Sequence, residues 1–224
     1  MTIEDEGANA PQELSQPQPR EPAIRAPWPA VVLAGGFLAL YALQGLVGGE
    51  GAVARYGFSP LDLQQGRLTG LVTALFVHGS WGHVFFNSAW GFAFGVPVAR
   101  LFGKAPAGVA AFFVFFLICG ALSSLGYAAC NWGAPYMLVG ASGAVSAFMG
   151  ATSRLMEGGP QLSGFTRRPV LVMAAAYVVV NLILATGGLD GIAGGAPIAW
   201  QAHLAGYAAG LFLIGPFARA LRRI

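Results

Sequence analysis

From residue 28 onward the chain is divided into six apolar stretches, about 29–48, 82–102, 106–130, 135–153, 169–187 and 198–218. Each approaches or exceeds the roughly 17–25 residues that a helix needs to cross about 30 Å of hydrocarbon. Inside a bilayer the backbone must satisfy its own hydrogen bonds, so such stretches fold as helices. Only 9% of the residues are charged, against about 25% in a typical soluble domain. The expectation is an all-α polytopic membrane protein, with a bundle of six transmembrane helices built from residues 28–224. The fourth stretch is short and glycine-rich, so its neighbours must shield it from lipid.

Residues 1–27 have a different character. They are polar, rich in Pro, Gln and Glu, and almost free of large apolar side chains. Such a segment cannot bury enough surface to offset the entropy of ordering. It also lacks the basic start, apolar run and cleavage site of a signal peptide. It reads as a disordered cytosolic N-terminal tail.

The basic residues orient the bundle. With the N-terminus in the cytosol, the inner side holds Arg20, Arg25, Arg100, Lys104, Arg154, Arg167, Arg168, Arg219, Arg222 and Arg223, while the outer side holds Arg55 and Arg67. Basic residues concentrate on the cytoplasmic side of membrane proteins, and an odd number of spans would spoil this bias. Both termini are therefore expected in the cytoplasm. The net charge of +3 comes from these anchors and does not point to nucleic acid. The first outer loop, about 49–81, is long and mixes glycines with Phe58, Leu61 and Leu63, so part of it is expected to dip into the interface. The last, about 188–197, is glycine-rich and expected to be mobile. Cys119 and Cys130 lie about 16 Å apart on one expected helix, too far for a disulfide. They read as apolar thiols. The run Phe112, Phe113, Phe115 and Phe116 reads as lipid-facing or packing surface.

Polar residues at membrane depth carry the functional signal, because hydrocarbon makes them costly. The second, fourth and sixth stretches run in the same direction, and they place Asn87, Ser142 and His203 roughly 7–11 Å below the outer surface. Gly206 and Gly210 form a small-residue face beside His203, and Gly140, Gly143, Ala147 and Gly150 form one beside Ser142. Faces of this type let transmembrane backbones approach, which would bring the Ser142 hydroxyl to His203. Serine becomes a nucleophile when a base such as imidazole takes its proton. The oxyanion that follows needs donors. His83 and Asn87, four residues apart on one helix face, can supply them together with the Ser142 amide. The nine acidic residues all fall outside the apolar stretches. A Ser–His dyad is therefore the expected form, and an aspartyl protease or a proton relay through carboxylates is disfavoured. No H-E-x-x-H is present, so a zincin-type metal site is unsupported.

These residues resemble the rhomboid family of intramembrane serine proteases, of the bacterial six-span type. The resemblance covers about residues 69–215. Gly140-Ala141-Ser142-Gly143 is similar to the family's G-x-S-G, and Ala202-His203-Leu204-Ala205-Gly206 followed by Gly210 is similar to its A-H-x-x-G-x-x-x-G. His78 to Asn87, with His83 between them, is similar to its H-x-x-x-x-H-x-x-x-N. The resemblance implies Ser142 as nucleophile, His203 as base, and Asn87, His83 and the Ser142 amide as the oxyanion hole. It implies a structural role for His78, and a place for Phe86 in a side gate toward lipid whose moving wall is the fifth span. It further implies transmembrane protein substrates, no cofactor, no metal, and a bacterial inner-membrane location. No sequence feature sets an oligomeric state. Two positions depart from the family's pattern. Ser146 stands where an aromatic commonly packs against the catalytic histidine, which leaves that support to another Phe or Tyr. Thr69-Gly70 stands where the first outer loop commonly carries a Trp-Arg pair.

Two other functions compete with proteolysis. A rhomboid-like pseudoprotease would bind transmembrane helices without cutting them. A metal- or haem-binding protein would use the three histidines, His78, His83 and His203, but would leave the G-x-S-G without a purpose.

Overall fold

The computed structural model describes residues 26–46, 48–158, 161–187 and 197–224. The expected tail at 1–27 and the glycine-rich loop at 188–197 lie almost wholly outside the described residues. Nine α-helices follow in order among the described residues: α1 Trp28–Leu46, α2 Gly49–Tyr56, α3 Pro60–Gln64, α4 Gly70–Thr73, α5 Trp81–Phe102, α6 Pro106–Cys130, α7 Ser142–Ser153, α8 Arg168–Leu184 and α9 Trp200–Ala220. A short 3₁₀ turn, Ala74–Phe76, continues α4. Among the described residues, α1 and α6 are the two helices long and apolar enough by length and composition to cross a membrane. The similarly long α5 and α9 carry the polar side chains of the site described below.

The fourth expected span, 135–153, is helical only from Ser142. Pro135 and the positive backbone angles of Gly133 and Gly140, φ 74° and φ 102°, oppose an earlier start. The intervening backbone bonds to the first loop instead. Phe58 and Leu138 form an antiparallel bridge, and the Gly140 amide donates to the Ala74 carbonyl at 2.8 Å. Chain that would have been a helical turn in lipid thus finds its partners in protein, which is where irregular backbone is tolerated at membrane depth.

The first loop is built rather than loose. Ser59 and Asp62 form a capping box at α3, the reciprocal arrangement that satisfies two donors at a helix start. Burial pushes the Asp62 carboxyl up, but bonds from Arg67 and Ser59 outweigh it and hold it below its ordinary value. Phe58 of this loop is fully buried beside Ala74 and Ala128.

The centre of the bundle is aromatic. Phe112, Phe115 and Phe116 share one face of α6, as spacings of three and four require, and surround Phe148 of α7. The Phe112 and Phe148 rings stack at 5.0 Å. This run is therefore chiefly packing surface.

Helices α7 and α9 meet through their backbones. A Cβ on Gly206 would lie 2.0 Å from the Gly143 carbonyl oxygen, and one on Gly210 would lie 1.9 Å from that of Ala147. From the other side, a Cβ on Gly150 would lie 2.1 Å from the Tyr207 carbonyl oxygen. Ser123 of α6 closes this seam. Its hydroxyl donates to the Ala202 carbonyl at 2.8 Å, and a Cβ on Gly143 would strike its Oγ at 1.7 Å. By contrast, α8 buries only Val170 and Asn181. Leu171, Val172, Val178, Val179, Val180, Leu182 and Ile183 of α8 are exposed.

Candidate active site

The α7–α9 seam positions the first two functional side chains. Ser142 is the first residue of α7, and His203 lies in the first turn of α9. Their side chains meet, with His203 Nε2 at 2.9 Å from Ser142 Oγ. Gly143 and Gly206, whose backbones touch, stand one residue after the serine and three after the histidine. The pair is thus held by main chain against main chain, the least compliant contact available.

The start of α7 adds donors. The first four N–H groups of a helix have no carbonyl within it to bond. Here the first such bond runs from the Val145 amide to the Ala141 carbonyl at 2.9 Å, so the Ser142 amide precedes the ladder. The helix dipole also favours negative charge at this end.

Helix α5 brings His83 and Asn87 to the same place. A Cβ on Gly140 would lie 2.4 Å from His83 Nε2 and 3.4 Å from Asn87 Nδ2. Both nitrogens therefore converge on the hollow left by a glycine two residues before Ser142. Asn87 is 4% exposed, and its Nδ2 finds no hydrogen-bond partner among the described residues. A buried amide donor without an acceptor costs about 1–3 kcal/mol, which a bound oxyanion would recover. The Ser80 side chain caps α5 by accepting from the His83 amide at 3.1 Å.

His78 lies at the loop–helix junction, fully buried. Gln44 of α1 brackets its backbone, donating to the His78 carbonyl at 2.8 Å and accepting from its amide at 3.1 Å. Its ring packs against Phe37, Tyr41 and His83. Phe86 is exposed on the α5 surface beside Phe85. Among the described residues no group of three metal-ligating side chains comes together.

One residue of the site escaped the sequence reading. Asn181 of α8 places Oδ1 at 2.9 Å from His203 Nδ1, the nitrogen facing away from Ser142. With every carboxylate outside the apolar stretches the sequence predicts a dyad, which leaves no place for Asn181, an amide in an otherwise apolar stretch. The available signal was that same isolation, because an amide in hydrocarbon needs a partner. Ser146, at the place of the family's aromatic, makes two hydrogen bonds. The Ser146 hydroxyl donates to the Ser142 carbonyl at 2.6 Å and also pairs with the Tyr177 hydroxyl of α8. The Tyr177 ring stacks on Tyr207 of α9 at 4.7 Å.

Residues 65–220 match the model of the Rhomboid domain. The chain belongs to the rhomboid family, whose members are integral membrane proteins acting on membrane-protein substrates. Most are serine intramembrane proteases, and inactive members exist. No curated protein matches the chain.

Proposed function

We propose that this protein is an active intramembrane serine protease, hydrolysing peptide bonds in or near the transmembrane segments of other membrane proteins. The observation that carries the reading is the 2.9 Å approach of His203 Nε2 to Ser142 Oγ. It lies within the range in which a base can take a hydroxyl proton. Family membership alone leaves open an inactive relative. A serine and an imidazole held by abutting backbones, beside a buried donor with no acceptor, are what acyl transfer requires.

The reaction follows from the geometry. Ser142 Oγ attacks the scissile carbonyl carbon while its proton passes to His203 Nε2. Negative charge develops on the carbonyl oxygen in the hollow at Gly140, toward Asn87 Nδ2, His83 Nε2 and the Ser142 amide. The tetrahedral intermediate collapses, the C–N bond breaks, and His203 returns the proton to the leaving amine. Water then attacks the acyl-serine by the same steps in reverse order.

In this reading α1, α5, α6, α7, α8 and α9 are the six spans, residues 28–224 form one membrane domain and residues 1–27 form a cytosolic tail. The membrane is a bacterial inner membrane with both termini in the cytoplasm. This orientation places the cytosolic ends of the spans where Arg100, Arg154, Arg168 and Arg219 lie, as the distribution of basic residues requires. Substrate helices enter from lipid past Phe86, with α8 yielding.

Labelling with a serine-reactive fluorophosphonate tests the reading. The purified wild-type protein should label, and Ser142→Ala and His203→Ala should not, while both variants keep the wild-type melting profile. Absence of labelling in a folded wild-type protein would favour a pseudoprotease that binds helices without cutting them. Labelling that survives Ser142→Ala would remove the serine from the mechanism.

A further inference from the structure

Resting on the reading of His203 as the base, the geometry points to Asn181 as a positioning residue that selects the tautomer of His203, a task expected of a carboxylate in a triad. A neutral imidazole carries one proton, on either nitrogen, and the hydrogen bond made by the other nitrogen decides which. To accept the serine proton, Nε2 must hold a lone pair, so the ring proton must sit on Nδ1. The partner of Nδ1 must then be an acceptor.

An amide offers a donor on one side and an acceptor on the other, so its orientation matters. Here the orientation is fixed independently of the histidine. Asn181 Nδ2 donates to the Tyr177 carbonyl at 2.9 Å, one turn back on α8. A carbonyl can only accept, so the amide nitrogen belongs on that side and Oδ1 faces His203 Nδ1 at 2.9 Å. The chain of bonds thus has one consistent direction, from the Tyr177 carbonyl through Asn181 and His203 to the Ser142 hydroxyl. Reversing the imidazole tautomer would set Nε2–H against the serine and leave two lone pairs facing each other at Nδ1. Asn181 is 1% exposed, so water cannot readily substitute for it. The amide is also neutral, which suits an apolar surrounding better than a carboxylate, whose burial is far costlier.

The decisive experiment reads the tautomer directly. Only three histidines are present, so ¹⁵N NMR of histidine-labelled protein, with His203→Ala to assign the signal, resolves this ring. Wild type should show His203 protonated on Nδ1. Asn181→Leu, close in shape and at home in a span, should shift the ring toward the Nε2–H form. It should also slow both fluorophosphonate labelling and kcat by about 10- to 100-fold, the scale on which removing the orienting partner of a metal-bound imidazole acts, with KM little changed. Asn181→Asp keeps an acceptor oxygen and should recover at least about tenfold of that loss, which a purely structural role for the amide would not give. A wild-type His203 in the Nε2–H form would overturn the proposal. So would Asn181→Leu that keeps the wild-type tautomer and labelling rate. Either result, with wild-type Ser142 labelling intact, leaves the protease reading standing. Loss of wild-type labelling itself defeats the protease reading instead.

Discussion

Helices α7 and α8 both serve the same histidine, yet they are held in opposite ways. The α7–α9 seam is backbone on backbone, with Gly143, Gly150, Gly206 and Gly210 leaving no room for a single added carbon. Helix α8 buries Val170 and Asn181 and leaves a run of branched apolar side chains exposed. Its polar ties to the rest are the Asn181–His203 bond and the Tyr177–Ser146 pair. The difference separates two jobs. The distance between Ser142 Oγ and His203 Nε2 is set by backbone contacts with no rotamer to escape into. In the proposed mechanism the tautomer of His203 is set from the helix that yields to substrate. A substrate helix that displaces α8 from lipid would meet a serine and histidine still in register, with the tautomer no longer fixed. Full activity would return when α8 docks again.

The largest effect should come from breaking the rigid side. Gly206→Ala adds a carbon 2.0 Å from the Gly143 carbonyl oxygen, a backbone atom with no rotamer to escape into. Forcing atoms into a packed interior costs about 1–3 kcal/mol or more, and here the strain acts directly on the Ser142–His203 distance. Labelling should fall by more than about 100-fold and the melting temperature in detergent should drop. A Gly206→Ala protein that labels like wild type would show that the seam yields, and the contrast with α8 would collapse.

A smaller effect should follow beside the rigid seam when its backbone is left alone. Asn87 lies on α5, and its unpaired Nδ2 aims into the hollow at Gly140. Asn87→Ala should lower kcat by roughly 10²-fold, as loss of one oxyanion donor does elsewhere, without slowing substrate binding or lowering the melting temperature. An unchanged kcat would take Asn87 out of the mechanism and leave the charge to His83 and the Ser142 amide.

Much of this contrast was visible in the residues, and what was missed has a physical reason. Ser142, His203 and Asn87 stood out because polar groups at membrane depth are costly, and the glycines beside them announced a close crossing. Small residues at fixed spacing encode a backbone contact locally, so that side of the site is legible. The start of α7 is not, because apolarity alone predicts a span over 135–153. Its first residues satisfy their backbone in the first loop, at Phe58 and Ala74, and no local pattern records a partner so distant in sequence. The role of Asn181 is hidden in the sequence for a related reason. Its value lies in an amide orientation set by the Tyr177 carbonyl, a property of three-dimensional bonding. The substitution of an aromatic by Ser146 looked like a lost support, whereas its hydroxyl reaches Tyr177 across to α8.

The smallest effect should come from the looser tie on α8. Tyr177→Phe removes the hydroxyl that pairs with Ser146 but keeps the ring, which stacks on Tyr207 at 4.7 Å. A typical hydrogen bond contributes about 0.5–1.5 kcal/mol net, so docking of α8 should weaken by about 2- to 10-fold. Because Asn181 acts only from docked α8, kcat should fall by no more than that factor, with Ser142 still labelled. Substrate entry should not slow, since in the proposed mechanism the same helix parts for it. The effects of Tyr177→Phe and Asn181→Leu should overlap in the double variant, because both act through one helix and neighbouring groups in one network are not additive. Full additivity would mean that Tyr177 reaches His203 by another route. A rise in kcat would show that release of α8, rather than its return, limits turnover, and the looseness of this helix would then be the rate-setting property of the enzyme.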